Sequence, residues 1–431
     1  MTSQPIVIAG AGIGGLSAAL FLARAGRRVT VLEQATELLE AGAGIQLGAN
    51  AMKVLAALGL RDAVLQTACQ PQSIAIRDIA TGRSISRMLL GAAAQRRYGE
   101  TYCTVHRADL QAALLQAVQA EPLIVLKLGT AIQSFMQHTR GVLVTLQDGN
   151  ALQADALVGA DGLWSTVRAQ SLHDGAPRAT GHAAFRALLP AAAVPQALRK
   201  SEVGVWWGRA VHVVGYPVRS GDFWNVAILA ETRDEETHGE IPGRAQNSTG
   251  AHSGEKHRGE NHTGAKNNGN TVQAAGWNLS ATTADAQRAL GNTCADLTAL
   301  INAAPSWKRW NLFDRPAVAS WGAGAVTLLG DAAHPMLPYL AQGAAMALED
   351  AAALAQCMQS AAAVPQALRA YEQQRMPRTQ RVVNTARRNG HIFHLRGPLA
   401  VARNAVLALK GTEVLGLPWL YGHSPCDSLQ K

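Results

Sequence analysis

The segment Ile6-Val-Ile-Ala-Gly10-Ala-Gly12-Ile-Gly-Gly15 constrains this chain more than any other. A short apolar, β-branched run enters a glycine-rich turn. Leu16 to Ala25 then reads as a helix closed by Gly26, and Arg28 to Leu32 as a second strand ending at Glu33. Each part of a dinucleotide-binding βαβ unit has its place. Gly10 makes the tight turn, Gly12 lets the backbone approach a pyrophosphate, and Gly15 lets helix and strand pack closely. Glu33, about 20 residues on, can bond ribose hydroxyls. A glycine turn alone is a weak signal; with strand, helix and terminal acid around it, it predicts a bound dinucleotide.

The next residues separate NAD from FAD. Ala41-Gly-Ala-Gly44-Ile-Gln46-Leu-Gly48 is a second glycine-rich loop, followed by an amphipathic helix from Asn50 to Leu58. An NAD domain usually continues with alternating β and α units, whereas Ile74 to Arg87 reads as a hairpin around Thr81-Gly82. The chain leaves its first domain early, which favours FAD. Val105-His-Arg107 then opens a helix through Val118. An arginine at a helix start works against the dipole unless an anion is near, so Arg107 is a candidate phosphate contact. Leu123 to Leu128, Ala131 to Met136 and Val142 to Leu146 read as three antiparallel strands.

Two later segments repeat the pattern of strand, acid and helix. Asp155-Ala-Leu-Val-Gly-Ala-Asp161-Gly162 runs into a helix capped near Ser165, so Asp161 is either a ligand contact or a cap and turn. Val326 to Leu329 is a buried strand ended by Gly330-Asp331. Pro335 and Pro338 hold an irregular loop, and Gln342-Gly343 starts an Ala-rich helix. Its first N–H groups, near Gly343 and Ala344, suit an electron-rich ligand, and Asp331 suits a ligand hydroxyl.

Between these segments the pattern is β. Ala184 to Leu189, Glu202 to Trp207, Ala210 to Pro217 and Phe223 to Ala230 are expected as a meander. His212 and Tyr216, four apart on one strand, share a face. Residues 238–275 hold no aromatic side chain and are rich in Gly, Asn, Ser, Thr and His, which predicts a disordered insertion. Its scattered histidines give no metal site. After Ala352 the chain is expected to be helical, with Arg375, Arg378, Arg381, Arg387 and Arg388 as a solvated face.

Composition excludes other classes. Five cysteines, odd in number and without a CxxC pair, point to reduced thiols in a cytoplasmic protein. The N-terminal residues make a strand and turn rather than a signal peptide, and no apolar run reaches the roughly 20 residues of a membrane span. The net charge of +9 is scattered and not interleaved with aromatics, so no nucleic-acid partner is expected.

Together the Gly10–Gly15 turn with Glu33, Gly159-Ala-Asp161-Gly162 and Gly330-Asp331-Ala-Ala-His334-Pro335 stand in the order of three signatures, and His106-Arg107 matches a further motif. In these the chain resembles the single-component FAD-dependent aromatic hydroxylases, the para-hydroxybenzoate hydroxylase-like group. The stretch Pro335 to Gly343, the His212/Tyr216 pair and Trp419-Leu-Tyr-Gly resemble salicylate and 3-hydroxybenzoate hydroxylases in particular. The resemblance implies an α/β fold: a Rossmann-like FAD-binding domain (1–72, 101–178, 305–370), a mostly antiparallel substrate domain (73–100, 179–304) and a helical C-terminus (371–431). It implies FAD as cofactor, NADH or NADPH as transient co-substrate, O2, a small aromatic acid and a homodimer. A flavin hydroperoxide would oxidise a phenolic ring. Glu33 would hold the adenosine ribose, Arg107 the phosphates and Asp331 the ribityl chain, with Gln46 in the loop beside them. Gly343 and Ala344 would stabilise the reduced flavin, and Pro335 would line its edge. Asp161 would serve both nucleotides, His212 and Tyr216 would contact the phenol, and Gln342 would touch substrate or flavin. No arginine stands out as a carboxylate clamp; Arg209 is the nearest guess. A polyketide or hydroxypyridine monooxygenase, or a binding protein that kept the fold, would share these signatures.

Overall fold

Ile6–Ala9 and Val29–Leu32 pair in parallel, joined by the helix Ile13–Arg24. The computed structural model describes residues 4–38, 43–232, 279–411 and 417–425. Within them a five-stranded parallel sheet runs in the order Val326–Leu328, Ala156–Gly159, Ile6–Ala9, Val29–Leu32, Ile124–Lys127. The three central strands are buried at every residue, as strands covered on both faces must be. All three signature turns thus leave one sheet edge at the same end. The expected antiparallel role of Leu123 to Leu128 is corrected: Ile124–Lys127 pairs in parallel with Val29–Leu32. The helix Arg107–Ala120 before it returns the chain to the sheet in the original direction. The strands Ile132–His138, Gly141–Leu146 and Ala151–Ala154 form a separate antiparallel sheet.

An eight-stranded sheet carries the second core. Its strands Glu202–Trp207, Val211–Val218 and Phe223–Glu231 follow as a meander, and Arg178–Pro190 lies beyond the third of them rather than before the first. The hairpin Ser73–Asp78 and Ser84–Leu89 extends it at one side. Trp307–Asp314 extends it at the other. The expected boundary at residue 305 is therefore too early, because the backbone of Trp307–Asp314 is bonded into the antiparallel sheet.

The helix Gly343–Ser360 packs against Ile13–Arg24, close enough that a Cβ on Gly14 would lie 3.2 Å from that of Ala347. Outside it runs Val364–Phe393, then Gly397–Lys410. The expected solvated arginine face is only partly one. Arg381 and Arg388 are exposed, but Arg375 is buried among acids, Arg378 bonds Glu349 and Arg387 bonds Asp314. Residues 238–275 lie outside the described residues. No helix among the described residues is long and apolar enough to cross a membrane.

Candidate functional site

The glycine turn separates what the protein needs from what a ligand needs. Gly10 has φ +98°, and a Cβ there would lie 2.5 Å from the Ala160 carbonyl oxygen. A Cβ on Gly15 would lie 2.0 Å from the Gly10 oxygen. Both glycines are required by the chain's own packing. Gly12 has nothing within 4 Å of such a Cβ. It precedes the helix Ile13–Arg24 in an extended conformation and without a side-chain cap, leaving that helix's first N–H groups to a ligand. Glu33 is held by the Ala11 and Ala35 N–H groups, at 2.8 and 2.9 Å. It lines an open cleft of about 1040 Å³ together with Gly10, Gly12, Asp161 and Trp164.

Asp161 is a cap. Its carboxylate accepts from Ser165 Oγ at 2.5 Å, Thr166 N at 2.8 Å and Val167 N at 3.2 Å, at the start of the helix Thr166–Leu172. Burial raises its pKa and these bonds oppose the rise. Of the two sequence alternatives the cap is formed, and the residue lies on the cleft wall.

A second cavity, of about 330 Å³, shares Gly12, Ala160 and Gly162 with the cleft and passes beneath the antiparallel sheet. Gln46, Arg107, Asp331, Gln342, Gly343 and Ala344 all line it. The structure thereby brings together residues spread over three hundred positions. Gln342 is fixed by Asn50, whose Nδ2 donates to Gln342 Oε1 at 3.0 Å and to Glu349 Oε1 at 2.8 Å. Tyr102 Oη donates to Gln46 Oε1 at 2.5 Å. Arg168 was not singled out from sequence, yet its Nη1 donates to the Ala332 and Ala333 carbonyls at 2.9 and 2.8 Å and so ties the second signature to the third. Its signal was a lone arginine in the first turn of the helix that follows Ser165.

The sheet side of this cavity carries Tyr216, Asn225 and Arg186. Burial raises the Tyr216 phenol well above its usual range, although Arg186 and a Gln46 hydrogen bond oppose this, so it stays protonated. Asn225 Oδ1 accepts from Gly44 N at 2.8 Å and fastens the second glycine loop to the sheet. Arg186 lies over the Trp310 ring, 4.8 Å from its centroid. Burial lowers its pKa and Tyr216 partly restores it. Sequence reasoning missed Arg186, although a single charge inside Ala184-Phe-Arg-Ala-Leu-Leu189 was a legible signal. Arg209 is exposed in a turn and does not line the cavity.

Two expected positions need correction. Pro335 is buried facing Arg315, Trp321 and Met376, away from the cavity, which Pro338 lines instead. The 3-10 turn at Gly330–Ala332 turns the chain inward before it emerges at Pro338. His212 shares a face with Val214 and Tyr216 but does not line the cavity. It is 2% exposed, covered by Tyr339 and bonded to His394.

The two hollows meet at Gly12, so an elongated ligand with an anionic middle fits. Its sugar end would meet Glu33 and its flat end would lie between Asp331–Ala344 and the sheet. The open space at Gly12 and the cation Arg107 fit a flavin dinucleotide. A family model described as FAD binding domain matches residues 3–386. The chain is 34% identical over 430 residues to a 3-hydroxybenzoate 6-hydroxylase of Polaromonas naphthalenivorans, covering 99% of this chain and 98% of that one. It is 35% identical over 425 residues to a 3-amino-4-hydroxybenzoate 2-monooxygenase of Streptomyces platensis, covering 98% and 96%. Klebsiella pneumoniae HpxO, solved with FAD and uric acid, superposes with a TM-score of 0.76 at 25% identity, over 96% of this chain and 95% of that chain. On the fold, the cradle and these likenesses, the chain belongs to the FAD binding domain family, among the FAD-dependent aromatic hydroxylases.

Proposed function

We propose that this enzyme hydroxylates a monohydroxybenzoate, with 3-hydroxybenzoate the first candidate, in the cavity between Arg186 and the Asp331–Ala344 segment. The observation that carries this reading is the pairing of Arg186 with Tyr216 on the sheet wall of the cavity, beside the apolar Val214, Ala227 and Leu229. The guanidinium suits a carboxylate and the phenol suits a second oxygen of the same ring. FAD, reduced by NADH or NADPH, supplies the activation of O2. The protein's part is to bind, orient and keep dry. Glu33 holds the ribose, Arg107 the phosphates and Asp331 the ribityl hydroxyls. The N–H groups of Gly343 and Ala344 offer partial positive charge to the flavin pyrimidine. Gln342, its Oε1 held by Asn50, faces ligand with the rest of its amide. Tyr216 donates to the substrate oxygen. The names of the two hydroxybenzoate-acting relatives support the substrate class.

The test is NADH and NADPH oxidation with a panel of phenolic acids, followed by product analysis after incubation with 3-hydroxybenzoate and salicylate. A dihydroxylated product formed in step with NAD(P)H consumption is expected. No product from either acid would overturn the substrate assignment. A hydroxylated pyridine instead would replace the hydroxybenzoate by a hydroxypyridine as substrate.

A further inference from the structure

Gln342 meets the cavity with an amide, and an amide can turn either its oxygen or its nitrogen towards a ligand. Residues outside the cavity decide which. Asn50 stands in the first turn of the helix Ala49–Ala57 and is fully buried. Its Nδ2 carries two protons and has two acceptors, Gln342 Oε1 at 3.0 Å and Glu349 Oε1 at 2.8 Å. Glu349 is buried on the helix Gly343–Ser360, which Gln342 precedes. Neither Asn50 nor Glu349 lines the cavity, so each can act on a ligand there only through Gln342.

The direction of these bonds follows from Glu349 outward. Its carboxylate receives Arg375 Nη1 and Arg378 Nε on Oε2, at 2.8 and 2.6 Å, and Arg378 Nη2 and Asn50 Nδ2 on Oε1, at 2.7 and 2.8 Å. These donors fill the lone-pair sites of an ionised carboxylate and leave none for a proton. Burial would raise the Glu349 carboxyl, but Arg375 and Arg378 outweigh it and hold it below its ordinary value. An ionised carboxylate only accepts, so the Asn50 group facing it is the NH2. Turning Asn50 over would set its oxygen against the carboxylate. That oxygen lies towards Gly48 instead, where a Cβ would be 2.9 Å away, and it has no partner among the described residues. The second Nδ2 proton needs an acceptor, and of the two ends of the Gln342 amide only Oε1 can serve. Gln342 lines the cavity, so the end left to a ligand is Nε2. The sheet wall repeats the device: Asn225 Oδ1 is taken by the Gly44 N–H, which can only donate.

We propose that Asn50, itself oriented by Glu349, is a positioning residue that fixes the Gln342 amide so that its Nε2 donates to an acceptor oxygen of the bound substrate. For the molecule that carries this oxygen, the proposal rests on the function proposed above. A carboxylate or an ionised hydroxyl is accepted at this wall, whereas a ligand group that needs an acceptor from Gln342 finds none. The charges buried between the helices Gly343–Ser360 and Val364–Phe393 thereby set the polarity of a cavity wall they do not line.

Two measurements test this on the FAD-loaded enzyme. The first needs no substrate: nitrogen–proton NMR of asparagine-labelled protein, with the Asn50 side-chain signals assigned by their loss in Asn50→Leu. Both Nδ2 protons are expected downfield and slow to exchange, and one of them is expected to move to the free-amide position in Gln342→Met. An unbonded Nδ2 proton in the wild type, or a pair unmoved in Gln342→Met, overturns the proposal. The second is the dissociation constant of 3-hydroxybenzoate, read from the flavin absorbance, in a double-mutant cycle. Asn50→Leu and Gln342→Met are each expected to weaken binding about tenfold, and the double variant no further than Gln342→Met alone. An asparagine that only supports the fold would weaken binding in the Gln342→Met background as well, and such additivity overturns the proposal. Should Asn50→Leu lose FAD, Asn50→Ser, which can donate to one partner only, takes its place in the cycle with the same expectation. Two bonded Asn50 protons in an enzyme that binds no monohydroxybenzoate would overturn the substrate assignment and leave the orientation of Gln342 intact.

Discussion

Arg375 and Asp350 form a buried pair, with Nε donating to Oδ1 at 2.7 Å and neither side chain more than 2% exposed. Arg375 Nη1 also donates to Glu349 Oε2 at 2.8 Å, and His334 Nε2 lies 2.5 Å from Asp350 Oδ2. The same Asp350 oxygen accepts from Gly330 N at 3.1 Å. The helix whose first turn lines the cavity is thus tied to the Gly330–His334 turn and to the long helix outside it.

Removing one partner of such a pair leaves an uncompensated buried charge. Arg375→Met is therefore expected to cost about 3–5 kcal/mol of stability, read by urea unfolding of the FAD-loaded protein. A loss below about 1 kcal/mol would show that water reaches the acids.

The same pair sets an acid limit. Burial would raise the Asp350 carboxyl, but His334 and Arg375 outweigh it and hold it down at about 2, against 3.8 for the free group. A depressed carboxyl contributes stability above its unfolded value, and the contribution is lost as pH falls through the folded one. It is expected in full above about pH 4 and absent below about pH 2, worth on the order of 2 kcal/mol. Unfolding curves of wild type and Asp350→Asn should converge across that window. A constant gap would mean that Asp350 does not titrate there.

Gly10 and Gly12 should fail differently. Gly10→Ala drives a Cβ into the Ala160 carbonyl at a φ of +98°, so folding itself suffers and the melting temperature of the FAD-free protein drops. Gly12→Val meets no protein atom within 4 Å of the new Cβ, so the FAD-free protein should melt as wild type does while flavin retention is lost. Equal flavin content in Gly12→Val, read as the ratio of visible to ultraviolet absorbance, would remove the pyrophosphate from this turn.

What could be read from sequence follows from how local each signal is. The Gly10–Glu33 unit was legible because its turn, helix and acid are neighbours in the chain and each glycine has a steric reason. The strand Ile124–Lys127 was misjudged because pairing direction depends on a helix outside the strand's own pattern. Pro335 and Pro338 are three residues apart in a loop without periodicity, so only the path of the chain decides which meets the cavity. Arg375 looked solvated because its acidic partners lie about 25 residues earlier, on another helix. His212 and Tyr216 were correctly placed on one face, but the depth of each depends on Tyr339 and His394 from distant segments.

Tyr216 should act as a donor across the working range. Its raised pKa keeps it protonated at neutral pH, so no limb of the activity profile belongs to it. Tyr216→Phe is expected to slow hydroxylation about 10- to 100-fold while flavin content stays constant. Rapid-reaction measurement separates the slowed step from flavin reduction, and unchanged hydroxylation would take Tyr216 out of the site.

Arg186 offers the sharpest test of substrate class. Its guanidinium lies over the Trp310 ring, and its side chain lines the cavity. Arg186→Met keeps the side-chain length and the apolar contact with the ring while removing the charge. Loss of a charge-assisted bond of about 2–3 kcal/mol is expected to raise KM for 3-hydroxybenzoate roughly 30- to 100-fold, with kcat altered far less. The matching amide, 3-hydroxybenzamide, has no carboxylate to lose, so its weak turnover should be nearly the same in both proteins. A KM increase of equal size for acid and amide would mean that Arg186 shapes the wall of the cavity and does not bind the acid group.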